Sequence, residues 1–250
     1  MNKNLKLALS GSSGKMGRAI IELLKHNDSN IEITYHLNSK SSILEIQEAC
    51  SNSDVILDFS TAQASMRIIG ILENLGDKKI LIGTTGFSNR EQEKISKIQT
   101  NHAILHAPNT SITANLVANL SAKASALLRD FDAEIIDSHH KDKSDAPSGT
   151  AIMIGKKIAT SRNIDFDKYA VYSWHEKNKR QKDQIGFSSI RGGGIYGDNE
   201  VILAGNSEVL NISCRALDRK AFAFGAIKAA IWLSTKNSGY YTMSDFLSID

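Results

Sequence analysis

The chain has 250 residues, of which 41% are hydrophobic and 23% charged, so it can build the core of one large or two ordinary domains. Its formal charge of +3 is too small to require nucleic acid as a partner. The amino-terminal residues lack a secretory signal, and no apolar run approaches the roughly 18 residues that a membrane span needs. We therefore expect a cytoplasmic protein with no membrane partner.

Neither the cysteines nor the one basic cluster indicates a special partner. Cys50 and Cys214 fit no metal-ligand spacing and are interpreted as packing residues in a reducing compartment, so no metal is expected. The basic segment 175–182 contains Glu176 and has no stacking aromatic beyond Trp174. We interpret it as a solvated loop rather than a nucleic-acid site.

Strands and helices alternate through the first half of the chain. Short apolar runs predict the strands, and apolar residues on one face predict the helices. This alternation is typical of a doubly wound α/β domain with a mostly parallel sheet. The predicted strands are 6–10, 31–35, 55–59, 79–83 and 103–107, and the predicted helices are 16–24 and 62–75.

The pattern changes after residue 109 and indicates a second, α+β domain. Two helices, 113–129 and 149–159, flank a strand at 133–138. Residues 184–215 contain β-type runs split by glycine turns, which predict hairpins in an antiparallel or mixed sheet. A strong helix follows at 220–235, so the pattern places domain boundaries near residues 110 and 219.

A glycine-rich loop lies between the first strand and the first helix. Gly11, Gly14 and Gly17 allow a tight turn and close approach of a pyrophosphate to the helix start. Ser13 stands where the common motif has its second glycine, so a purely structural turn remains an alternative.

The end of the second predicted strand bears on the choice of dinucleotide. It carries no carboxylate to hold the adenosine ribose, whereas Lys40 and His36 could approach a 2′-phosphate. This favours NADPH weakly over NADH, and an ordinary polar loop explains the same residues.

The segment 134–151 is the most informative in the chain. A strand ends at His139 and His140, a charged loop carries Lys143, and Ser148, Gly149 and Thr150 open a helix. Imidazole and ammonium groups hold or donate protons, and free amides at a helix start accept a carboxylate. The combination suits an anionic substrate that must be protonated, although each residue alone would be ordinary.

This segment resembles the signature of the bacterial dihydrodipicolinate reductase family, the 4-hydroxy-tetrahydrodipicolinate reductases of the diaminopimelate route to lysine. Further segments along nearly the whole chain resemble family segments in the same order. They are 11–18, 58–60, 83–87, 107–109, 186–187 with Arg191, 224–226 and 232–234.

The resemblance implies both a reaction and an architecture. The reaction is NADPH- or NADH-dependent reduction of a cyclic dicarboxylate, 4-hydroxy-tetrahydrodipicolinate. The implied dinucleotide-binding domain comprises residues 1–110 and 220–250. The implied substrate-binding and oligomerisation domain, 111–219, supplies the sheet of a homotetramer.

The resemblance also implies roles for individual residues. His139 matches the acid/base histidine and Lys143 the proton donor, while His140, Gly149 and Thr150 match residues that bind the substrate carboxylates. The pyrophosphate turn matches Gly11, Ser12, Ser13, Gly14, Lys15 and Met16. The loops around the nicotinamide match Gly83, Thr84, Thr85, Ala107, Pro108, Asn109 and Thr110.

Two other functions stay open on the residues alone. One is a dehydrogenase of another small amino or dicarboxylic acid on the same fold. The other is a dinucleotide-sensing regulator without turnover, for which Lys143 would have no evident use.

Overall fold

A computed structural model describes residues 4–26, 30–174 and 179–248. Part of the basic segment, residues 175–178, lies outside the described residues. The chain divides into two compact units. The first comprises the described residues up to Ile112 together with Arg219–Ser248, and the second comprises Thr113–Asp218.

The helices and strands follow in chain order. The strands are β1 (Leu5–Ser10), β2 (Ile31–Leu37), β3 (Val55–Asp58), β4 (Lys79–Ile82), β5 (Ala103–His106), β6 (Asp132–His139), β7 (Ala170–Val171), β8 (Ile185–Arg191), β9 (Gly197–Ala204), β10 (Val209–Ala216) and β11 (Gly239–Tyr241). The helices are α1 (Lys15–His26), α2 (Ile43–Asn52), α3 (Ala62–Leu72), α4 (Asn89–Lys97), α5 (Ile112–Leu127), α6 (Gly149–Arg162), α7 (Phe166–Tyr169), α8 (Lys220–Ser234) and α9 (Met243–Leu247).

The first unit is built on a parallel sheet with strand order β11-β5-β4-β3-β1-β2. Its strands are apolar on both faces because helices cover both. Leu7 and Leu9 pack with α1 and α8, whereas Ala8 between them packs with α2, α3 and α4. The loops after β1, β3, β4 and β5 therefore meet at the carboxyl edge of the sheet, where dinucleotides bind in such folds.

The second unit is a mixed sheet with strand order β10-β9-β6-β8-β7. Its core lies on one face, where Ala133 and Ile135 of β6 pack with Ile154 and Ile158 of α6 and with Val117 of α5. The opposite face carries half-exposed and exposed residues, including Ile136, Ile190 and Val209.

The predicted hairpins are only half correct. The turn at Gly205 joins β9 to β10 as an antiparallel hairpin. The glycine turn 192–194 does not make a hairpin, because β8 and β9 lie on opposite sides of β6, parallel and antiparallel to it. β6 lies between them and pairs its backbone amides and carbonyls with β8 on one edge and with β9 on the other.

The described residues also bear on the membrane and cysteine predictions. Within them, no helix is long and apolar enough to cross a membrane. Both cysteines are free, and Cys50 is fully buried in the apolar core, where burial raises the pKa of its thiol to about 12. Cys50 is thus a packing residue, as predicted.

Candidate active site

The glycine loop follows β1 and places the start of α1 at the carboxyl edge of the sheet. Gly11 has φ +79°, and a side chain there would overlap the backbone of Phe59. A side chain at Gly17 would overlap the loop backbone at Gly11 and Ser12. These contacts explain two of the glycines by backbone geometry alone, without a ligand.

The same loop fits a pyrophosphate. A β-carbon on Gly14 would lie only 3.1 Å from the Gly11 carbonyl oxygen, so glycine avoids a close contact directly before α1. The first amides of α1 have no acceptor within the helix, and the helix dipole favours an anion there. Ser13 and Lys15 are exposed, whereas Ser12 is buried and its hydroxyl donates to the Leu37 carbonyl at 2.9 Å.

A buried carboxylate stands behind the loops predicted to hold the nicotinamide. Asp58 at the end of β3 is fully buried, and it accepts hydrogen bonds from Ser60 at 2.5 Å, from Ser65, and from Thr84 at 3.1 Å. Burial raises the pKa of Asp58, while these hydroxyls and that of Ser10 oppose the change. The Thr84 side chain is therefore engaged with the protein.

The other predicted nicotinamide residues divide between structural and exposed positions. Thr85 and Pro108 are exposed, and Ala107 is buried. Thr110 donates its hydroxyl to the Phe222 carbonyl at 2.8 Å, and Asn109 accepts from the Ser111 amide at 2.8 Å. Gly83 leaves room for the Phe59 ring, with which any side chain would overlap.

A closed turn follows β2, where the adenosine end of a dinucleotide is expected. The Asn38 side chain accepts from the Lys40 amide at 2.9 Å, and the Asn38 amide donates to the Ser41 hydroxyl at 3.1 Å. Lys40 and His36 are both exposed. The turn fixes the backbone that carries Lys40 and leaves its ammonium group in solvent.

His139 ends β6 in the second unit, next to a buried aspartate. Its Nδ1 lies 3.1 Å from Oδ2 of Asp137, which is 1% exposed. The same oxygen lies 3.0 Å from the Arg191 guanidinium and 3.3 Å from the Ser148 amide, and Oδ1 accepts from Ser189 at 2.6 Å.

The surroundings of His139 favour its neutral form. Burial lowers the pKa of the imidazole, and the positive charges of Lys143 and Arg191 lower it further. The Asp137 carboxylate opposes them but does not reverse the direction. At neutral pH the ring is therefore positioned to accept a proton.

Lys143 is held on the loop between β6 and α6. Its ammonium group contacts both carboxylate oxygens of Asp145, at 2.7 and 2.9 Å, and its amide donates to the His140 carbonyl. Arg191 in turn donates to the Asp145 carbonyl at 2.7 Å. A substrate carboxylate that binds Lys143 would compete with the Asp145 carboxylate, which already contacts it. Lys143 also lowers the pKa of Asp145.

The start of α6 completes this group of residues. Ser148 caps the helix by accepting from the Ala151 amide at 3.2 Å. Gly149 is exposed and Thr150 half-exposed, and His140 on the strand end is exposed. The structure thus links His139 and the helix start through Asp137, and it links Lys143 to them through Asp145 and Arg191.

Sequence reasoning assigned no role to the two buried aspartates that organise these sites. For Asp137 a signal existed: in the alternating strand Ala133 and Ile135 point into the core, so Asp137 two residues later points inward too. A carboxylate that points into the core from a strand needs hydrogen-bond partners. Here those partners include His139 and the amide that begins α6, which belong to the candidate site.

One depression in the described chain lies away from the residues discussed above. A depression of about 740 Å³ lies at the amino ends of β1 to β4, the sheet edge away from the glycine loop. It is lined in part by Asp54, Asp77 and Lys78. Within the described residues, no three histidine, cysteine or acidic side chains are grouped to hold a metal.

Family models identify the relatives of this chain. Residues 5–110 match the model "Dihydrodipicolinate reductase, N-terminus", and residues 113–247 match "Dihydrodipicolinate reductase, C-terminus". The chain belongs to the dihydrodipicolinate reductase family. The family predicted from the His139 segment is confirmed.

Individual relatives agree over nearly their full lengths. A 4-hydroxy-tetrahydrodipicolinate reductase of Rickettsia bellii is 39% identical over 97% of this chain and 94% of its own. One of Buchnera aphidicola is 37% identical, with 98% of each chain covered. These relatives confirm the predicted assignment as an NAD(P)H-dependent reductase of this family.

Solved structures confirm the fold class. A dipicolinate-bound dihydrodipicolinate reductase from Paenisporosarcina sp. superposes with a TM-score of 0.75 at 22% identity, covering 96% of this chain and 97% of the other. A dinucleotide-binding α/β sheet with a second mixed-sheet unit is therefore correct. The roles of individual site residues stay predictions.

Proposed function

We propose that this chain reduces 4-hydroxy-tetrahydrodipicolinate with NADPH, using Lys143 and His139 to supply the proton. The observation that carries the site assignment is the group formed by His139, Lys143 and the start of α6. His139 and the Ser148 amide both contact Asp137, and Lys143 pairs with Asp145, whose backbone carbonyl accepts from the same Arg191 that pairs with Asp137. The group combines proton-exchanging side chains with a carboxylate-binding helix start in one unit.

The glycine loop supports dinucleotide binding in the first unit. Gly11, Ser12, Ser13, Gly14, Lys15 and Met16 would hold the pyrophosphate, and loops 83–85 and 107–110 would hold the nicotinamide. When bound, the dinucleotide supplies the hydride. The exposed Lys40 on its closed turn supports the preference for NADPH, because an ammonium group attracts a 2′-phosphate.

The chain's own residues deal with the charge that develops on the substrate. Loss of the 4-hydroxyl group of this substrate as water gives a conjugated C=C–C=N system, and hydride addition to that system leaves negative charge, which a positioned acid neutralises. The Lys143 ammonium group attracts a dicarboxylate, while His139, with its lowered pKa, accepts and returns protons at the site. His140, Gly149 and Thr150 bind the carboxylates at the start of α6.

The open face of the second sheet supports a homotetramer. Ile190 and Val209 are 51% and 59% exposed there, and Ile136 lies half-buried on the same face. Packing this face against a second copy would bury these apolar side chains. The cytoplasmic location predicted from the sequence is part of the same proposal.

The experiment is turnover of the cyclic substrate, followed by NADPH and NADH absorbance in wild type, Lys143→Arg and His139→Gln. Arginine keeps the charge but donates a proton poorly, so we expect Lys143→Arg to lower kcat roughly 10² to 10⁴-fold with a smaller change in KM. Retained kcat in Lys143→Arg with a large loss in His139→Gln would make His139 the donor. If the wild type shows no turnover, a dinucleotide sensor is favoured. If it turns over another acid but not this substrate, a different dehydrogenase is favoured.

A further inference from the structure

Asp137 is the common acceptor of the second unit's site. Its two oxygens are hydrogen-bonded to the imidazole of His139, the hydroxyl of Ser189 and the backbone amide of Ser148, and Oδ2 also forms an ion pair with the guanidinium of Arg191. Three of these donors meet at one oxygen, Oδ2. Asp137 is 1% exposed, and the Ser148 amide can only donate, so the Oδ2 atom that it contacts acts as an acceptor.

This arrangement determines which nitrogen of His139 carries the proton in the neutral ring. Because Oδ2 only accepts, the facing Nδ1 must be the protonated nitrogen, and Nε2 keeps its lone pair. A β-carbon on residue 197 would lie 3.2 Å from Nε2, so glycine at that position leaves the reactive side of the ring open.

We propose that Asp137 is the positioning residue of the reductase site: it fixes His139 in the tautomer whose Nε2 exchanges the proton, and it anchors the amide that opens the substrate-binding helix. The proposal rests on the function proposed above for His139. It assigns to Asp137 no contact with substrate or dinucleotide.

A purely structural ion pair with Arg191 is the competing explanation for the same contacts. Such a pair would affect unfolding, since removing one partner leaves a buried charge. It would leave the tautomer of His139 unspecified, because an imidazole without a fixed acceptor is free to carry its proton on either nitrogen. The tautomer therefore separates the two explanations.

Two substitutions at Asp137 differ in the hydrogen bond that they leave to His139. Asp137→Ala removes the acceptor. Asp137→Asn can keep a carbonyl oxygen at the Oδ2 position, where three donors converge, and direct its amide to the Ser189 hydroxyl, which can accept. We therefore expect the hydrogen bond to Nδ1 of His139 to be lost in Asp137→Ala and kept in Asp137→Asn.

The test is ¹⁵N NMR of the full-length protein labelled at histidine, with kinetics on the same variants. We expect neutral His139 to be protonated on Nδ1 in wild type and in Asp137→Asn, and to populate Nε2–H in Asp137→Ala. The kcat of Asp137→Ala should fall roughly 10²- to 10⁴-fold below that of wild type. The kcat of Asp137→Asn should be at least about tenfold higher than that of Asp137→Ala. Asp132→Asn, on the exposed start of the same strand, is the matched control with unchanged kcat and tautomer.

Two results would overturn the proposal: neutral His139 protonated on Nε2 in wild type, or equal kcat losses in Asp137→Ala and Asp137→Asn. If Asp137→Ala does not fold because the Arg191 charge has lost its partner, the double variant Asp137→Ala/Arg191→Met removes both charges. The tautomer of His139 is then measured in that double variant. A wild type without turnover would refute the proposed function, while the tautomer in each variant would still decide whether Asp137 positions His139.

Discussion

Thr84 and Thr85 are adjacent threonines with opposite surroundings. The hydroxyl of Thr84 donates to buried Asp58 and accepts from the Ser60 amide, whereas Thr85 is exposed. Thr84→Val should therefore lower the free energy of unfolding by about 1–3 kcal/mol, because it leaves the buried Asp58 carboxylate and the half-buried Ser60 amide each short of a partner.

Thr85→Val makes the same chemical change at the exposed neighbour and serves as the control. Its free energy of unfolding should stay within about 0.5 kcal/mol of wild type. Urea unfolding of both variants measures the difference. Equal losses would mean that the Asp58 hydrogen bonds contribute little to stability.

The charge of Lys143 acts on His139. After burial, it is the main reason that the pKa of His139 is lowered. Lys143→Met should consequently raise the pKa of His139, whereas Lys143→Arg keeps the charge and should leave it low. NMR titration of the His139 ring in both variants measures this, and the same titration curve in Lys143→Met as in wild type would contradict it.

At the residue scale, the sequence indicated candidate reactive side chains but not the buried residues that contact them. His139, His140 and Lys143 were singled out as candidates because imidazole and ammonium groups next to a helix start form an unusual combination. Asp58 and Asp137 act through partners distant in the sequence, such as Thr84 and Ser189. The pairing of strands in the folded chain brings these partners together, and a local sequence pattern does not reveal which strands pair.

Helix α6 is the element that we propose binds a substrate carboxylate. Ser148 caps it, and Gly149 and Thr150 form its first turn, where amides lack helical acceptors and the dipole favours an anion. Thr150→Val keeps the side-chain shape and deletes the hydroxyl. It should raise KM for the substrate and leave the dissociation constant of NADPH nearly unchanged.

Steady-state kinetics and dinucleotide titration of Thr150→Val measure these two quantities separately. A weaker affinity for NADPH with an unchanged substrate KM would place Thr150 at the dinucleotide instead. The contrast is informative because the glycine loop belongs to the other unit.

Elements with strong periodicity were predicted within a few residues, and short or polar ones were missed. The predicted strand 103–107 is β5 at Ala103–His106, and the predicted helix 220–235 is α8 at Lys220–Ser234. Helix α4 was not predicted because its sequence is almost wholly polar around one buried residue, Ile95. Strand β11 has three residues and exists only through its parallel pairing with β5.

At the scale of the whole molecule, the discontinuous first unit depends on contacts between distant segments. His102 lies at one such point: its Nδ1 accepts from the Lys78 amide at 3.1 Å, and its carbonyl accepts from Gly239 at the start of β11. The residue is 1% exposed. Protonation of Nδ1 would abolish the bond from Lys78, so the folded unit needs a neutral ring.

The pH dependence of stability follows from this requirement. Burial lowers the pKa of His102, and a hydrogen bond to the backbone of Leu72 opposes the shift only in part. The unfolded chain, with a histidine pKa of about 6.5, therefore binds the proton more readily than the folded chain. The stabilisation is present above about pH 6.5 and is lost as the pH falls through the folded pKa.

We therefore expect the urea midpoint of the protein to fall between about pH 7.5 and pH 5.5, and the fall to be smaller in His102→Asn. Asparagine can still accept from the Lys78 amide through its side-chain oxygen, and it does not titrate. The dependence should shrink rather than vanish, because burial lowers the pKa of His106 and His139 as well. An equal fall in wild type and His102→Asn would assign the acid sensitivity to groups other than His102.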